Sequence, residues 1–330
     1  MDYITLGQTG LRVSRISLGT MNFGDTVDEP QGKRLVDRAV DAGINMIDTA
    51  DVYFNGASEE IVGKSIKGKR NSLVIATKCW APFGTSPTEF GSTRFHIMNA
   101  AEAALKRLDT DHIDLFIMHR PDSAHPELKD NETPVEETLR AMTDLVRQGK
   151  VRYIGTSCYN DWRLVEAQLT SRLFNLERFC SDQLNYSIFN RFAEKQVFTV
   201  ARRYGIGITV FSPLQYGWLS GQYHRGDEAP HGSRAARKFK MRLDSPQADE
   251  FFSFLEQLEP LADRLGIPLA RFAMAWVLKN PAVTSVLAGP RTLEQLEDNL
   301  ESLHVELDDG IMAAVDEIVP PGYGTGADYA

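Results

Sequence analysis

Short, almost continuous runs of apolar residues alternate along this chain with longer stretches in which apolar residues recur three or four positions apart. The short runs are typical of buried parallel strands, and the longer stretches are typical of amphipathic helices. Eight candidate strands occur, at 16–20, 45–49, 72–78, 113–119, 151–157, 179–184, 207–212 and 283–289. Helical patterns lie between them, among others at 31–42, 95–108, 134–148, 161–171 and 192–203. Eight strand–helix units predict an α/β protein with a closed parallel (β/α)8 TIM barrel.

A pair of doubly wound half-domains is the alternative to this single barrel. No Pro-, Ser- or Gly-rich linker divides the chain near its middle, which favours the barrel. We therefore expect one domain over residues 1–330. Residues 1–15 are expected to form an N-terminal β-hairpin that turns at 7–10, and residues 319–330 to form a loosely held tail.

The connection after the seventh strand is much longer than the others. Residues 217–247 are polar and are followed by two helical patterns, the extra C-terminal helices of the barrel. In the first pattern Pro260 requires a kink or a break and Gly266 supplies the stop, whereas the second begins at Pro268. Two interpretations stay open for the basic residues of the connection, a lid over an anionic ligand or a solvated mobile loop. These residues are Arg225, Arg234, Arg237, Lys238, Lys240 and Arg242.

Charge and cysteine content exclude several classes of protein. The chain has 36 basic and 45 acidic residues and a net charge of −9, which removes the general attraction that drives binding to nucleic acid and anionic membranes. Cys79, Cys158 and Cys180 are widely spaced and include no C-x-x-C pair, so neither a disulfide framework nor a zinc site is expected. A reducing compartment fits this cysteine content best.

The expected location is the cytoplasm. No basic region followed by an apolar core opens the chain, and no apolar run reaches the roughly 18 residues of a membrane span. We therefore expect a small-molecule partner and neither nucleic acid nor membrane. The sequence leaves open whether the protein is a monomer or a homo-oligomer.

Polar side chains stand at the carboxyl ends of several predicted strands, where the active site of such a barrel lies. Each of them alone has an ordinary structural explanation, such as a cap or a solvated charge. Together they indicate a site, because charged groups that are partly buried are tolerated only when they are paired. The residues are Asp48, Tyr53, Lys78, His119, Ser157 and Gln183.

Four of these residues suit the reduction of a carbonyl group. Tyrosine has a pKa near 10 in water, and an adjacent ammonium such as that of Lys78 lowers the pKa by favouring the phenolate. Asp48 can keep Lys78 protonated and oriented, and His119 can donate a hydrogen bond to a carbonyl oxygen. Tyr53 would then protonate the oxygen as hydride arrives. A Schiff-base aldolase that uses Lys78 as nucleophile is a less favoured alternative.

Neither a metal nor the usual dinucleotide fingerprint is indicated. The histidines are scattered and form no H-E-x-x-H spacing. The closest approach to G-x-G-x-x-G is the stretch 322–327, which has no helix left to open and is assigned to the tail. A nicotinamide cofactor would therefore have to bind on the barrel itself.

Seven separated stretches resemble the aldo-keto reductase family in the family's order. They are GLRVSRISLGTMNFG, DAGINMIDTADVY, VIATK, LKRLDTDHIDLFIMHRPD, LVRQGKVRYIGTS, FSPLQYGWLSGQY and LAGPRTLEQLEDN. The resemblance implies an (α/β)8 barrel that reduces aldehydes and ketones with NADPH, less often with NADH. It also implies a catalytic tetrad of Asp48, Tyr53, Lys78 and His119.

Within the family, the segments RPD, PVEETLRAMTDLVRQGK and GTS resemble the potassium-channel β subunits and their bacterial relatives. A regulatory subunit that binds NADP(H) is therefore the alternative function. His119 speaks against a purely regulatory role, because the resemblance implies that those subunits lack this histidine.

The resemblance further implies which residues contact cofactor and substrate. Cofactor contacts fall on Thr20, Met21, Asp48, Ser157, Cys158, Gln183, Phe211, Ser212, Pro213, Leu214, Gly289, Arg291, Gln295, Asp298 and Asn299. Substrate contacts fall on Tyr53, Trp80 and His119. The guanidinium of Arg291 can bind a 2′-phosphate with two hydrogen bonds, which favours NADPH over NADH.

Three positions depart from the family pattern. Cys158 stands where Asn is common, Phe211 where Tyr is common, and Gln222 where many relatives have Lys.

An apolar substrate pocket is expected from aromatic residues on the loops above the barrel. These are Trp80, Phe83, Phe90 and Trp218. Cys79 and Cys158 lie next to predicted site positions and are interpreted as inert buried thiols rather than redox-sensitive ones.

Overall fold

An antiparallel hairpin, β1 (Tyr3–Thr5) and β2 (Arg12–Ser14), precedes eight parallel strands that close into a barrel. This computed structural model describes residues 1–83, 88–228, 230, 233, 236, 243 and 245–324. The barrel strands are β3 (Ile16–Gly19), β4 (Met46–Asp48), β5 (Val74–Cys79), β6 (Ile113–Met118), β7 (Val151–Ser157), β8 (Ser181–Asn185), β9 (Gly207–Phe211) and β10 (Val283–Ala288). Neighbours pair in chain order and β10 closes the barrel against β3. The predicted barrel is confirmed, and the two half-domains are excluded.

Helices surround the barrel and shield its outer face. They are α1 (Glu29–Asp41), α2 (Ala57–Ser65), α3 (Arg94–Leu108), α4 (Val135–Arg147), α5 (Asp161–Phe174), α6 (Val197–Tyr204), α7 (Pro246–Arg264), α8 (Leu269–Lys279), α9 (Leu293–Glu301) and α10 (Asp309–Ile318). The predicted helix over 192–203 is instead a 3-10 turn followed by α6. Within the described residues, no helix is long and apolar enough to cross a lipid bilayer.

The alternation of side chains along the strands brings the charged residues to one end of the barrel. Val74, Ala76 and Lys78 alternate along β5, and the first two belong to a buried apolar cluster that also contains residues of β4 and β6. Since successive side chains of a strand point to opposite faces, Lys78 shares the inward row of Val74 and Ala76. Leu6 and Val13 of the hairpin are buried in the same cluster. The hairpin therefore seals the end of the barrel opposite Lys78.

Pro260 does not break α7, contrary to one of the two outcomes that the sequence allows. The helix runs without interruption from Pro246 to Arg264, with Pro260 inside it. Proline in a helix interior costs about 3 kcal/mol through a lost hydrogen bond and a steric clash. The buried side chains of Phe251, Leu255, Leu258 and Ala262 hold α7 on the core on both sides of the proline. Burial of this face outweighs the local cost.

The beginning of the expected loose tail is anchored. Val319 is fully buried and its carbonyl accepts a hydrogen bond from the Arg191 guanidinium. The carbonyl of Tyr323 accepts from the N–H of Arg191 at 2.6 Å, and its ring packs edge-on against Phe254. Residues 319–324 are thus fixed by contacts that are distant in sequence, whereas 325–330 lie outside the described residues.

Candidate active site

Three strands and one loop bring the four predicted catalytic side chains together. Asp48 ends β4, Lys78 lies in β5, and His119 directly follows β6, where its N–H donates to the Cys79 carbonyl at 2.9 Å. The Lys78 ammonium donates to Asp48 Oδ1 at 2.5 Å and to the Tyr53 hydroxyl at 3.4 Å. The ammonium therefore stands between the carboxylate and the phenol.

The environment keeps Lys78 charged. Its side chain is completely buried, and it also donates to the backbone carbonyl of Thr49 at 2.7 Å. Burial disfavours the ammonium, but attraction to Asp48 and Tyr53 outweighs burial and raises the pKa of Lys78 above its usual value. Lys78 is accordingly a cation that faces the Tyr53 oxygen at neutral pH.

His119 is the neutral partner of this arrangement. Desolvation by burial, together with the positive charges of Lys78 and Arg120, lowers the pKa of His119 well below its usual value. Its ring meets that of Tyr53 edge to face, with centroids 5.8 Å apart. Nδ1 of His119 is buried and has no hydrogen-bond partner among the described residues. A neutral imidazole in this position can donate one hydrogen bond without adding a second cation beside Lys78.

Gln183 binds directly to the carboxylate of Asp48, a contact that the sequence does not reveal. Its amide Nε2 donates to Asp48 Oδ2 at 2.8 Å, so both carboxylate oxygens have partners. Ser157 and Cys158 are buried next to it, and the N–H of Cys158 donates to the Gln183 carbonyl at 2.9 Å. Three of the predicted cofactor residues therefore lie together on the rim, and one of them, Gln183, contacts Asp48.

A second buried carboxylate, which the sequence interpretation missed, supports Lys78 from outside the barrel. Glu59 of α2 accepts from the Thr77 hydroxyl at 2.6 Å and from the Arg107 guanidinium at 2.6 Å. Thr77 precedes Lys78, so Glu59 fastens α2 and α3 to β5 at the catalytic lysine. The local sequence offers no signal that marks Glu59 as a buried carboxylate.

Asp51, between Asp48 and Tyr53 in sequence, is also buried. Oδ1 accepts from the N–H of Val52 at 2.6 Å, and Oδ2 has no partner among the described residues. Desolvation, followed by the charge of Glu59, raises the pKa of Asp51 to about 7. Asp51 is therefore a weaker counter-charge for Lys78 than Asp48, which bonds the ammonium directly.

The loop after β9 has strained backbone of the kind that clusters at functional sites. Ser212, Gln215 and Tyr216 adopt positive φ values of 54°, 43° and 56°. Ser187 donates to the Gln215 side chain at 3.0 Å, and Asn185 donates to the Tyr216 hydroxyl at 3.3 Å. These contacts hold a tight turn against the rim, and Gln215 and Tyr216 are residues that the sequence interpretation did not include.

The start of α9 fits a phosphate-bearing ligand. Gly289 follows β10, and a Cβ there would meet nothing nearer than 3.9 Å, so space is open beside the backbone. Thr292 caps α9, and the N–H of Arg291 donates to the Gln295 side chain at 2.8 Å. Helix N-termini favour anions. The strained turn after β9 and this open helix start both lie at the carboxyl ends of barrel strands.

A model described as the Aldo/keto reductase family matches residues 15–320 of this chain. The chain belongs to the aldo/keto reductase family. It is 38 % identical over 346 residues to YrpG, an uncharacterized oxidoreductase of Bacillus subtilis (strain 168), with 100 % of both chains covered.

Plant relatives of this aldo/keto reductase carry a different description. Two proteins named probable voltage-gated potassium channel subunit beta are similar to it, each over 92 % of both chains. The protein of Oryza sativa subsp. japonica is 35 % identical over 311 residues, and that of Arabidopsis thaliana is 36 % identical over 312 residues.

The remaining predicted cofactor residues of the aldo/keto reductase differ in burial and in the contacts that they make within the chain. The Thr20 hydroxyl donates to the Asp48 carbonyl at 2.9 Å, so it also braces the strand end that carries Asp48. Asp298 forms an ion pair with Arg271 at 2.5 Å. Phe211, Leu214, Met21 and Asn299 are half-buried, whereas Pro213 is buried.

The four aromatic residues expected to line a substrate pocket do not all pack together. Trp218 is 4 % exposed and packs against Phe251 and Phe252 of α7, so its ring belongs to the core. The Arg107 guanidinium lies over the Phe83 ring at 4.7 Å. Phe90 packs against His125, and Trp80 reaches the same imidazole edge-on.

Arg225 is not available as a lid over an anionic ligand. Its guanidinium forms ion pairs with Asp249 at 2.7 Å and Glu256 at 3.0 Å, both on α7. The other basic residues of that connection, Arg234, Arg237, Lys238, Lys240 and Arg242, lie outside the described residues. Gln222 is exposed.

Two of the three thiols of this aldo/keto reductase, those of Cys79 and Cys180, are poor nucleophiles. No disulfide links the three cysteines, all of which lie in the described part of the chain. Burial, with the nearby Asp51 and Glu59, raises the pKa of Cys79 well above its usual value, and burial raises the pKa of Cys180 to about 12. Among the described residues, no group of three or more His, Cys, Asp or Glu side chains could hold a metal ion.

Asp182 is expected to make stability fall as the pH rises. It is buried in β8, with Thr156 donating to Oδ1 at 2.7 Å, and desolvation raises its pKa to about 7. An aspartate in the unfolded chain has a pKa near 3.9. Between about pH 4 and 7 the native state therefore binds a proton that the unfolded state lacks. This contribution is complete below the unfolded pKa and is lost as the pH rises through 7.

Denaturant unfolding of the wild type and of Asp182→Asn at several pH values tests this expectation. The difference in their free energies of unfolding should change by about 1.4 kcal/mol per pH unit between about pH 5 and 7, because Asn cannot titrate. Asp130→Asn on an exposed loop is the matched control and should show no such slope. A difference that is independent of pH would contradict the assignment.

Proposed function

We propose that this protein is an NADPH-dependent oxidoreductase that interconverts an aldehyde or ketone and the corresponding alcohol. The observation that carries the proposal is the placement of a buried, charged Lys78 between the Asp48 carboxylate and the Tyr53 hydroxyl, with a neutral His119 beside Tyr53. The turn after β9 and the start of α9 would hold a nicotinamide dinucleotide, which would supply or accept the hydride.

In the direction of reduction, the residues of this chain donate one proton to the substrate and stabilise the negative charge that remains on the proton donor. His119 donates a hydrogen bond to the carbonyl oxygen and orients it. Tyr53 gives its hydroxyl proton to that oxygen as negative charge develops there. The phenolate that remains is stabilised by the Lys78 ammonium, which Asp48 keeps protonated and oriented. In the direction of oxidation, the same phenolate removes the proton of the alcohol.

Two other functions make different demands on the site. A Schiff-base aldolase needs a neutral amine as nucleophile, whereas the pKa of Lys78 is raised and its ammonium is occupied by an ion pair. A regulatory NADP(H)-binding subunit is favoured by the names of the plant relatives. Such a subunit does not require the proton-transfer geometry around Tyr53. That geometry therefore supports the enzyme.

The proposal is tested by following NADPH absorbance with a panel of carbonyl compounds. The panel should include small aliphatic, sugar-like and aromatic aldehydes and ketones, with NADH in parallel. We expect turnover of at least one class with NADPH. Tight NADPH binding without turnover across the panel would overturn the enzyme and support the regulatory subunit. Borohydride trapping of a substrate on Lys78 would support the aldolase instead.

Arg291→Ala is expected to erase the preference for NADPH. A charge-assisted contact between a guanidinium and a 2′-phosphate contributes about 1.5–3 kcal/mol, so KM for NADPH should rise about 10- to 150-fold. KM for NADH should stay within about twofold, because NADH has no phosphate at that position.

Arg38→Ala is the matched control for this variant. Arg38 pairs with Glu297 of α9 at 2.5 Å, and the substitution removes a guanidinium from the same surface. It should leave both KM values unchanged. An equal rise for both cofactors in Arg291→Ala would contradict the role of Arg291 in selecting NADPH.

A further inference from the structure

The carboxylate of Asp122 joins the two loops that flank the mouth of the site. Oδ1 accepts from Nε1 of Trp80 at 3.0 Å and from the hydroxyl of Ser92 at 2.7 Å. Oδ2 accepts from the N–H of Thr133 at 3.0 Å. Trp80 and Ser92 lie between β5 and α3, whereas Asp122 and Thr133 lie between β6 and α4. At 3 % exposure, the carboxylate is shielded from water that would compete for these donors.

Trp80 needs such an anchor because its backbone is strained. Its φ is 143°, in a range that L-amino acids rarely adopt. A conformation of this kind persists only when the surroundings hold it. The Trp80 carbonyl accepts from the N–H of Gly91 at 2.8 Å, and the indole meets the His125 ring at 6.1 Å. The bond to Asp122 fixes the Nε1 edge of the indole.

Asp122 and Trp80 are both closely connected to catalytic residues. Trp80 lies two positions after Lys78, and Asp122 lies three positions after His119. The N–H of His119 donates to the carbonyl of Cys79, the residue that precedes Trp80. A shift of Trp80 or of Asp122 therefore changes the position of the indole relative to the catalytic imidazole.

We propose that Asp122 is a positioning residue that orients the Trp80 indole and thereby determines which carbonyl substrates bind productively. This inference rests on the proposed function, because it assigns the exposed edge of Trp80, which is 8 % exposed, to the wall that a carbonyl substrate contacts. Asp122 itself does not touch substrate; it acts through the Trp80 ring.

Asparagine is the informative replacement because it preserves the size of the side chain but not its hydrogen-bonding pattern. Asp122 accepts at both oxygens, and the indole N–H can only donate. An Asn amide in either orientation places an NH2 group against the N–H of Trp80 or the N–H of Thr133. A cavity of about 240 Å³, lined by Asp122, Ser92 and Thr133, adjoins these contacts and gives the loops space to rearrange.

The test is a double-mutant cycle of Asp122→Asn and Trp80→Phe, with a small aliphatic aldehyde and a bulky aromatic aldehyde as substrates. We expect Asp122→Asn to change the ratio of kcat/KM for the two aldehydes about tenfold, since misplacing a positioning group is costly. In the Trp80→Phe background, the same substitution should change the ratio less than about twofold. NADPH affinity should be unchanged throughout.

Asp130→Asn, an exposed carboxylate in the same loop, is the control and should leave the ratio as in the wild type. Tryptophan fluorescence supplies a readout besides activity. Asp122→Asn should alter the emission, and this change should be absent when Trp80 is already Phe. Equal losses for both aldehydes, or additive effects in the double variant, would overturn the proposal.

A failure of the proposed function can be recognised separately. If the wild type reduces no carbonyl compound, the oxidoreductase proposal fails, and the positioning role is decided by the fluorescence cycle and by the binding of the two aldehydes. An emission change that persists in the Trp80→Phe background then overturns the role of Asp122. So does a ratio of Kd values for the two aldehydes that is the same in the wild type and in Asp122→Asn.

Discussion

Tyr53→Phe is expected to lower kcat for carbonyl reduction about 10³-fold. The substitution removes the only hydroxyl that the Lys78 ammonium contacts among the described residues, at 3.4 Å, while keeping the ring that packs against His119. A positioned general acid contributes about 10²- to 10⁴-fold to rate. Steady-state kinetics with the best substrate of the carbonyl panel measures the loss.

NADPH binding separates this chemical effect from a structural one. The Kd for NADPH should stay within about twofold in Tyr53→Phe, because the predicted cofactor contacts lie on other strands and on α9. Tyr204→Phe at the end of α6 is the matched control, since it removes a hydroxyl far from Lys78, and it should keep the wild-type kcat. A Tyr53→Phe variant that turns over at the wild-type rate would refute proton transfer by Tyr53.

Lys78→Met is expected to be both inactive and strongly destabilised. The substitution leaves the buried Asp48 carboxylate with the Gln183 amide but without its cation. Removing one partner of a buried ion pair costs about 3–5 kcal/mol, because the other charge stays buried without compensation. Denaturant unfolding measures the loss of stability, and NADPH oxidation measures the loss of activity.

The double variant Asp48→Asn with Lys78→Met distinguishes burial of charge from catalysis. Replacing both charges by neutral groups of similar size should recover most of the stability that Lys78→Met loses, because no unpaired charge remains in the barrel. Activity should not return, since Tyr53 still lacks its ammonium. A Lys78→Met variant as stable as the wild type would show that Asp48 is not held as a buried carboxylate. Recovery of activity in the double variant would contradict the role of Lys78.

Strand periodicity in the sequence predicts where the catalytic residues lie. In β5 and β6, apolar residues occupy alternate positions as far as Lys78 and His119, so the same inward row that fills the barrel ends in a charged or polar group. Parallel strands place their carboxyl ends on one rim, and this is enough to bring Asp48 near them. Local pattern and chain order are sufficient for this part of the site.

Contacts between distant segments are not predictable in this way. Gln183 binds Asp48 across the barrel, and Glu59 reaches Thr77 and Arg107 from a helix whose inward face carries polar residues. The strand-end position of Gln183 predicts its place on the rim but not its bond to Asp48, and nothing near Glu59 in sequence distinguishes a buried carboxylate from a solvated one. Their roles follow only from which elements pack together.

Burial likewise overrides local signals in the C-terminal half. Pro260 predicts a kink or a break, yet α7 continues because its apolar face is held on the core. The turn-rich segment after Val319 suggests a loose end, yet Arg191 binds the carbonyls of Val319 and Tyr323. In both places tertiary contacts supply more free energy than the local preference costs.

The sequence by itself determined the barrel, the rim on which the proposed active site lies and the four residues of the proposed proton-transfer machinery, because these depend on periodicity and chain order. The tertiary structure decided the charge state of Lys78 and His119, the support of Lys78 by Glu59 and the anchoring of Trp80 by Asp122. Those properties depend on desolvation and on pairs of atoms a few ångströms apart. Both arise only when segments far apart in the chain are packed against one another.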